Sequence, residues 1–303
     1  MNEPSVTIVV PTRNRADLVV DCVRSILSQT GDHSYEIVVV DNDSTDGTAQ
    51  AVDALASEHP DRVRRVFQRG LGINVARNAG VAASRAPLIA FLDDDAVVPD
   101  TYVAAIVEGA ARHPTVFCFG GRVRTRFEGP TPPWCGKEPF EPELEVGTAD
   151  RPITQAMGGN LIARRSAFER IGSFDEGIAL CGDEMEWQHR VRTLGGDIMY
   201  LPEAFMWHRR LPPELKVRQL VRRNFRKGRA YPRAAIAMQQ HVSPWGGLRD
   251  AGLGLAHAIA RRCTSGLVQA AFGWGHTLGV LRLLFTGGAQ SPYLHWRPAR
   301  RVT

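Results

Sequence analysis

The chain has 303 residues, 44% of them hydrophobic, and 37 Lys and Arg stand against 32 Asp and Glu. That apolar share is that of a protein with a packed core, enough for one large or two modest domains. Its five cysteines, Cys22, Cys118, Cys135, Cys181 and Cys263, are an odd number without CxxC or zinc spacing, which argues for reduced thiols rather than a disulfide frame.

The charge is unevenly spread. Residues 1–208 hold 20 basic and 30 acidic side chains, whereas 209–303 hold 17 and 2, so the two parts must face different partners. Met1–Pro4 has no basic leader and runs straight into an apolar stretch. With reduced thiols, this gives a cytoplasmic expectation.

Val6–Val10 is a β-branched run, and after Pro11-Thr12-Arg13-Asn14-Arg15 the residues Leu18, Val19, Cys22, Val23, Ile26 and Leu27 recur at helical spacing. The loop between them lacks GxGxxG, so its backbone cannot approach a pyrophosphate as dinucleotide enzymes do. A second strand, Glu36–Val40, runs into Asp41-Asn42-Asp43-Ser44-Thr45-Asp46 before a helix over Ala49–Glu58. Ser44 and Asp46 suit helix capping, while Asp41 and Asn42 lie nearer the strand end, where doubly wound sheets bind ligands.

A short strand near Arg64–Phe67 leads through Gly70-Leu71-Gly72 to a helix carrying Arg77 and Asn78. This alternation predicts an α/β fold with a mostly parallel, Rossmann-like sheet and helices on both faces. Leu88–Leu92 is apolar throughout, as expected of a strand buried on both faces, and Asp93-Asp94-Asp95 follow at once. Three carboxylates at the end of a buried strand call for something positive. Hard oxygen ligands too few for a closed cage suit Mg²⁺ or Mn²⁺ sharing its shell with water or phosphate. The competing reading is a solvated loop that caps the helix over Asp100–Arg112.

Val116–Phe119 is a further strand, and Arg124–Arg151 then has neither helical nor strand period, as a binding loop or lid would. It contains Trp134, either a sugar platform or the loop's anchor, and the acidic Glu138–Glu145. After a helix over Arg165–Ile171 comes Cys181–Arg190, predicted to be helical to Leu194. Helix-dipole preference accounts for Asp183, Glu184 and Glu186 at its start. Glu184 also heads a face shared with Trp187 and Val191, and partial burial would make it a better base. Tyr200–Pro202 and Phe205–His208 read as short extended pieces.

In the tail, Val217, Leu220, Val221 and Phe225 form an apolar stripe against Lys216, Arg218, Arg222, Arg223, Arg226, Lys227 and Arg229. A basic amphipathic helix of this kind fits an anionic membrane surface or the acidic body of the chain itself. Gly266–Phe285 is apolar but interrupted by Gln269, His276 and Arg282, and is expected to be interfacial or packed on a partner.

The ordered pieces Val9–Asn14, Val40–Gly47, Ala76–Gly80, Phe91–Asp95, Gly172–Glu176 and Gly182–Trp187 together resemble the family-2 glycosyltransferases of GT-A fold. The resemblance covers about Val6–His208 and implies a nucleotide-sugar and catalytic domain over 1–210, with a donor half at 1–122 and an acceptor half at 123–210. The basic, partly amphipathic helical tail at 211–303 lies outside it. It implies inverting transfer of a hexosyl or deoxyhexosyl group from a UDP-, dTDP- or GDP-linked donor to a glycan, lipid-linked or natural-product hydroxyl. Pro11, Thr12, Asn14, Asp41, Asn42, Arg77, Asp93 and Asp94 would bind the nucleotide sugar, Asn42 standing where the family often has Asp. Its amide can accept from a pyrimidine N3–H and donate to a ring carbonyl. Asp93, Asp95 and His208 would hold Mn²⁺ or Mg²⁺, with Asp94 as a substitute ligand. Glu184 would be the base, with Asp183 as second candidate, because the family's Gly-Glu-Asp order is swapped here. Trp134, Gly159, Asn160 and Trp187 are assigned to the acceptor side. The partners expected are the donor, the acceptor, an anionic inner membrane face met peripherally and a second copy of the chain, but no nucleic acid. A non-catalytic sugar-nucleotide or membrane-binding subunit, or a nucleotidyltransferase on a similar sheet, is the alternative. The latter lacks its Gly-rich, Lys-bearing first loop here.

Overall fold

The computed structural model describes residues 3–135, 143–286 and 291–294, so the part of the acidic Glu138–Glu145 run up to residue 142 lies outside the described residues. The chain divides into two compact units. The first comprises 1–126, 143–176 and 187–209, and the second 127–142, 177–186 and 210–303.

The first unit alternates β1 (Val6–Thr12), α1 (Ala16–Leu27), β2 (Tyr35–Asp41), α2 (Thr48–Glu58), β3 (Val63–Phe67), α3 (Ile73–Ala83) and β4 (Leu88–Leu92). It continues through β5 (Ala96–Val97), α4 (Tyr102–Arg112), β6 (Cys118–Phe127), β7 (Arg151–Ile153), β8 (Asn160–Arg164), α5 (Arg165–Ile171), α6 (Asp183–Thr193) and β9 (Ile198–Arg210), with the first turn of α6 and the last residues of β6 and β9 counted in the second unit. The strands form one sheet in the order β3-β2-β1-β4-β8-β6-β9-β5, with β7 paired to β9. The β3-β2-β1-β4 block is parallel, and β8 joins it antiparallel, with Leu92 opposite Asn160.

Strand alternation explains the two cores. Val6, Ile8 and Val10 of β1 pack with Val19, Val23 and Ile26 of α1 and Ile106 of α4. Val9, Val38, Ile89 and Phe91 point the other way, toward Phe168, Phe174, Trp187 and Val191. The central strands are buried on both sides, which is why they read as unbroken apolar runs.

Two local expectations differ. The irregular segment starts later, because β6 runs on to Phe127. The two extended pieces after Asp197 are one strand of 13 residues, β9. Pro202 lies between the part paired with β7, at Ile198–Tyr200, and the part paired with β5, at Trp207 and His208, so its missing N–H falls between those two pairings.

The second unit is built on α7 (Val217–Ala237), α8 (Pro244–Arg261) and α9 (Thr264–Phe285). Ser243 Oγ accepts from Gly246 N at 3.4 Å to cap α8, and Arg262 in the left-handed region ends it. Small residues press α8 on α9: a Cβ on Gly254 would meet the backbone of Gly266 and Ala270, and one on Gly273 the backbone of Gly247 and Ala251. Among the described residues no helix is long and apolar enough to cross a membrane. The expectation of five reduced thiols is corrected, since Cys135 and Cys263 form a disulfide with Cα atoms 5.7 Å apart. The pair is 128 residues apart in sequence and is brought together by folding, which cysteine spacing cannot show.

Candidate active site

β4 ends at Leu92, and the tight turn that follows aims three carboxylates differently. Asp95 Oδ1 lies 3.1 Å from His208 Nε2 and Asp93 Oδ2 lies 3.8 Å from the same nitrogen. β9 brings His208 there by pairing it with Ala96. One ligand atom from each of Asp93, Asp95 and His208 falls within 4.8 Å of the others. Asp95 and His208 are buried, while the Asp93 side chain keeps 34% of its exposure. A second group, Cys135, His257 and Cys263, lies in the other unit, but its sulfurs bond each other and are not available as a thiolate pair.

Asp94 departs from its expected role as donor contact or substitute ligand. Its Oδ1 accepts from Arg15 Nη1 at 2.7 Å and its Oδ2 from Thr12 Oγ1 at 2.8 Å, so both oxygens brace the turn onto β1 and its loop. Burial pushes Asp94 up to about 6, against the pull of Arg15. Burial also opposes the charge on Arg15, but Asp94 and Asp95 outweigh it and raise its proton affinity. Arg15 is the residue that sequence reasoning missed. The demand for something positive near three acids was the available signal, and Arg15, the second of two arginines in the first loop, answers part of it.

Gly159 lies against Asp93: a Cβ there would overlap the Asp93 carboxylate. This glycine therefore makes room for the most exposed of the three acids. Asn160 beside it is fully buried, accepts from Tyr102 Oη at 2.7 Å and donates to Arg122 O at 3.0 Å and Ala204 O at 2.8 Å. Its assignment to the acceptor is corrected, because every polar atom of its amide is engaged inside the fold. Trp187 is corrected likewise. It is fully buried, stacks on Phe168 at 4.8 Å and donates from Nε1 to Gly172 O at 2.8 Å.

At the end of β2, Asp41 accepts from Ser44 N at 3.0 Å and from Arg65 Nη1 at 3.4 Å. Asn42 donates to Gln68 O at 3.0 Å and to Gly70 O, and accepts from Gly72 N at 3.0 Å. Both amide hydrogens are thus spent on the 68–72 loop, so the expected donation to a ring carbonyl is corrected: Asn42 shapes the loop. Asn14, at φ 55°, accepts from Thr45 N at 2.7 Å and ties the loop after β1 to that after β2. Pro11 is buried in β1 opposite Val40. Arg77 is buried on α3, donates to Asn74 Oδ1 at 3.3 Å and lies over the Phe174 ring. Asn74 and Asn78 donate to the carbonyls of Asp175 and Phe174, so this face of α3 holds the Phe174–Asp175 turn.

In the second unit, Asp183 and Glu184 open α6, Asp183 buried and Glu184 half-buried. Gly182 before them has φ +79°, and a Cβ there would strike Ala234 of α7. Ile178, Met185, Tyr231, Ala234 and Met238 pack together beneath this turn, and Arg233 donates to Gly177 O at 3.0 Å. The apolar side of α7 thus supports the acidic turn. Trp134 is half-buried in a segment tied down by Thr264 N on Pro133 O and by the Cys135–Cys263 disulfide.

Residues 7–172 match the family described as Glycosyl transferase family 2. Glycosyltransferase AglE of Haloferax volcanii is 24% identical over 231 residues, 75% of this chain and 72% of that protein. Succinoglycan biosynthesis protein ExoM of Rhizobium meliloti is 30% identical over 237 residues, 77% of this chain and 74% of its own. Among solved structures, mannosyltransferase PcManGT from Pyrobaculum calidifontis, in complex with GDP-Man and Mn²⁺, superposes with a TM-score of 0.56 at 20% identity. The match covers 96% of this chain and 77% of that one.

Proposed function

The chain belongs to glycosyl transferase family 2 and is a glycosyltransferase of GT-A fold, and from that premise we propose that it transfers a hexosyl or deoxyhexosyl group from a nucleoside-diphosphate sugar to a hydroxyl, with metal dependence and inversion. The observation that carries this reading is the meeting of Asp93, Asp95 and His208 at the end of β4. Two carboxylates and an imidazole suit Mn²⁺ or Mg²⁺ with open positions for phosphate oxygens. Such an ion, when bound, offsets the charge that the diphosphate gains on leaving. The Mn²⁺ and GDP-Man of the Pyrobaculum enzyme support the same chemistry. Thr12 and Arg15 keep Asp94 turned to the β1 loop, so that Asp93 and Asp95 serve as the ligands.

Glu184, with Asp183 as the alternative, takes the proton from the acceptor hydroxyl. The acceptor oxygen bonds to the anomeric carbon from the face opposite the leaving group. The bond to the diphosphate oxygen breaks with its electron pair, and the configuration inverts. The acceptor is a glycan, a lipid-linked sugar or a natural product, reached at the inner face of a membrane that the basic second unit meets peripherally. Incubation with a panel of UDP-, dTDP- and GDP-sugars and Mn²⁺ tests donor use by hydrolysis. Asp183→Asn with Glu184→Gln is expected to abolish transfer yet retain donor binding, and unchanged turnover removes both residues from the mechanism.

A further inference from the structure

Within the second unit, α9 is covered on two flanks. Gly266, Ala270, Gly273 and Thr277 form its seam with Gly247, Ala251, Gly254 and Ala258 of α8. On the other flank, a Cβ on Gly275 would meet the carbonyl of Phe225, and one on Gly279 that of Arg229, both on α7. Between these seams lies a stripe one helix face wide: Leu267, Trp274, Leu278 and Phe285. All four are exposed, Phe285 to 78%.

The helices α8 and α9 run antiparallel, so a quarter-turn in the same sense from the shared seam leads to the same side of the pair. On α8 that quarter-turn reaches Leu255 and Ile259, and Ile259 is 79% exposed. The seam with α7 advances in parallel, from Gly275 against Phe225 to Val280 beside Ala235. The exposed arginines of α7, Arg218, Arg222, Arg226 and Arg229, therefore flank the same side. An apolar patch edged by cations, in a segment with 17 basic and 2 acidic residues, is complementary to an anionic lipid surface and not to a basic or neutral one.

We propose that this side of the helical unit, with Ile259, Trp274 and Phe285 at its centre and the α7 arginines at its edge, is the face that enters an anionic bilayer. The inference deepens the peripheral association proposed above and names the groups that insert. Glycine seams let α8 and α9 approach backbone to backbone, which turns their large side chains outward. Among the described residues no helix is long and apolar enough to cross a membrane, so the helices are taken to lie along the interface.

The test is flotation of the full chain with vesicles of phosphatidylcholine alone and with 30 mol% phosphatidylglycerol added as the probe. The expected result is binding to the anionic vesicles that weakens with salt. Ile259→Glu with Trp274→Glu should lower it by about ten-fold or more per site, and each Arg→Gln at 222 or 226 by about five-fold. Since these side chains are exposed, unchanged far-ultraviolet circular dichroism is expected of all variants. In the wild type, lipids brominated on the acyl chain should quench tryptophan emission, and Trp274→Phe should remove most of that quenching. If the wild type ignores anionic vesicles, peripheral association itself falls. If it binds and the Ile259/Trp274 variant binds equally, or Trp274 is not quenched, the inserting face is wrong while association stands. A wild-type dimer that the same variant splits, without vesicle binding, would make the face a contact between copies and overturn the proposal.

Discussion

His208 Nε2 sits 3.1 Å from Asp95 Oδ1, joining the strand β9 to the turn after β4 although the two residues are far apart in sequence. The pairing of His208 with Ala96 fixes this distance through the backbone, so the imidazole is preset before any ion arrives. His208→Ala and Asp95→Asn should each weaken Mn²⁺ binding on the order of 10–100-fold or more, since even indirect partners of a metal site act on that scale. Calorimetric titration of Mn²⁺ into the donor-free protein checks it, and an unchanged affinity would take the pair out of the metal site.

Asn42 makes three hydrogen bonds to the 68–72 loop, two as donor and one as acceptor. Asn42→Asp would turn a carboxylate oxygen toward the carbonyls of Gln68 and Gly70, leaving both without a donor and adding repulsion. A loss of roughly 1–3 kcal/mol in stability is expected. Urea unfolding of the variant measures it, and neutral behaviour would show that the amide is free for base recognition.

Arg15 offsets the burial of Asp94, which ionises near 6 in the fold and near 3.9 when unfolded. The folded chain therefore holds this proton more tightly, so stability falls as pH rises from about 4 to about 6 and the loss is complete above that. Arg15→Gln removes the countercharge, moves Asp94 higher still and extends the loss beyond pH 6. Unfolding free energies at pH 5 and pH 7.5, with chelator present, should diverge further in the variant by on the order of 1 kcal/mol. Adding Asp94→Asn should close the gap.

The central strands were legible because burial on both faces leaves an unbroken apolar run, and Leu88–Leu92 followed by acids pointed to the turn where Asp93 and Asp95 meet His208. Helical period marked α1 and the first half of α7 for the same kind of reason. The partners of the polar groups were not legible. Sequence order alone gives no sign that Thr12 and Arg15 take both oxygens of Asp94, or that Cys135 meets Cys263 across 128 residues. Trp187 ends a piece that carries the family pattern and Asn160 lies outside all of them, yet both side chains are closed into the core. Residue type and position along a motif cannot separate a group that touches ligand from one that holds the groups that do.

Trp187 decides between those two roles. Its ring stacks on Phe168, tilts against Phe174 at 5.4 Å and donates to Gly172 O, all within the core under β4 and β8. Trp187→Ala should cost about 3–5 kcal/mol of stability, the range for emptying a large buried aromatic site. Trp187→Phe keeps most of the packing but drops the Nε1 donor, leaving the Gly172 carbonyl short of one partner, and should cost about 1–3 kcal/mol. Denaturant midpoints give these values, and KM for acceptor measured well below the midpoint should stay within about two-fold of wild type for the Phe variant. A large change in acceptor KM with unaltered stability would return Trp187 to the acceptor site.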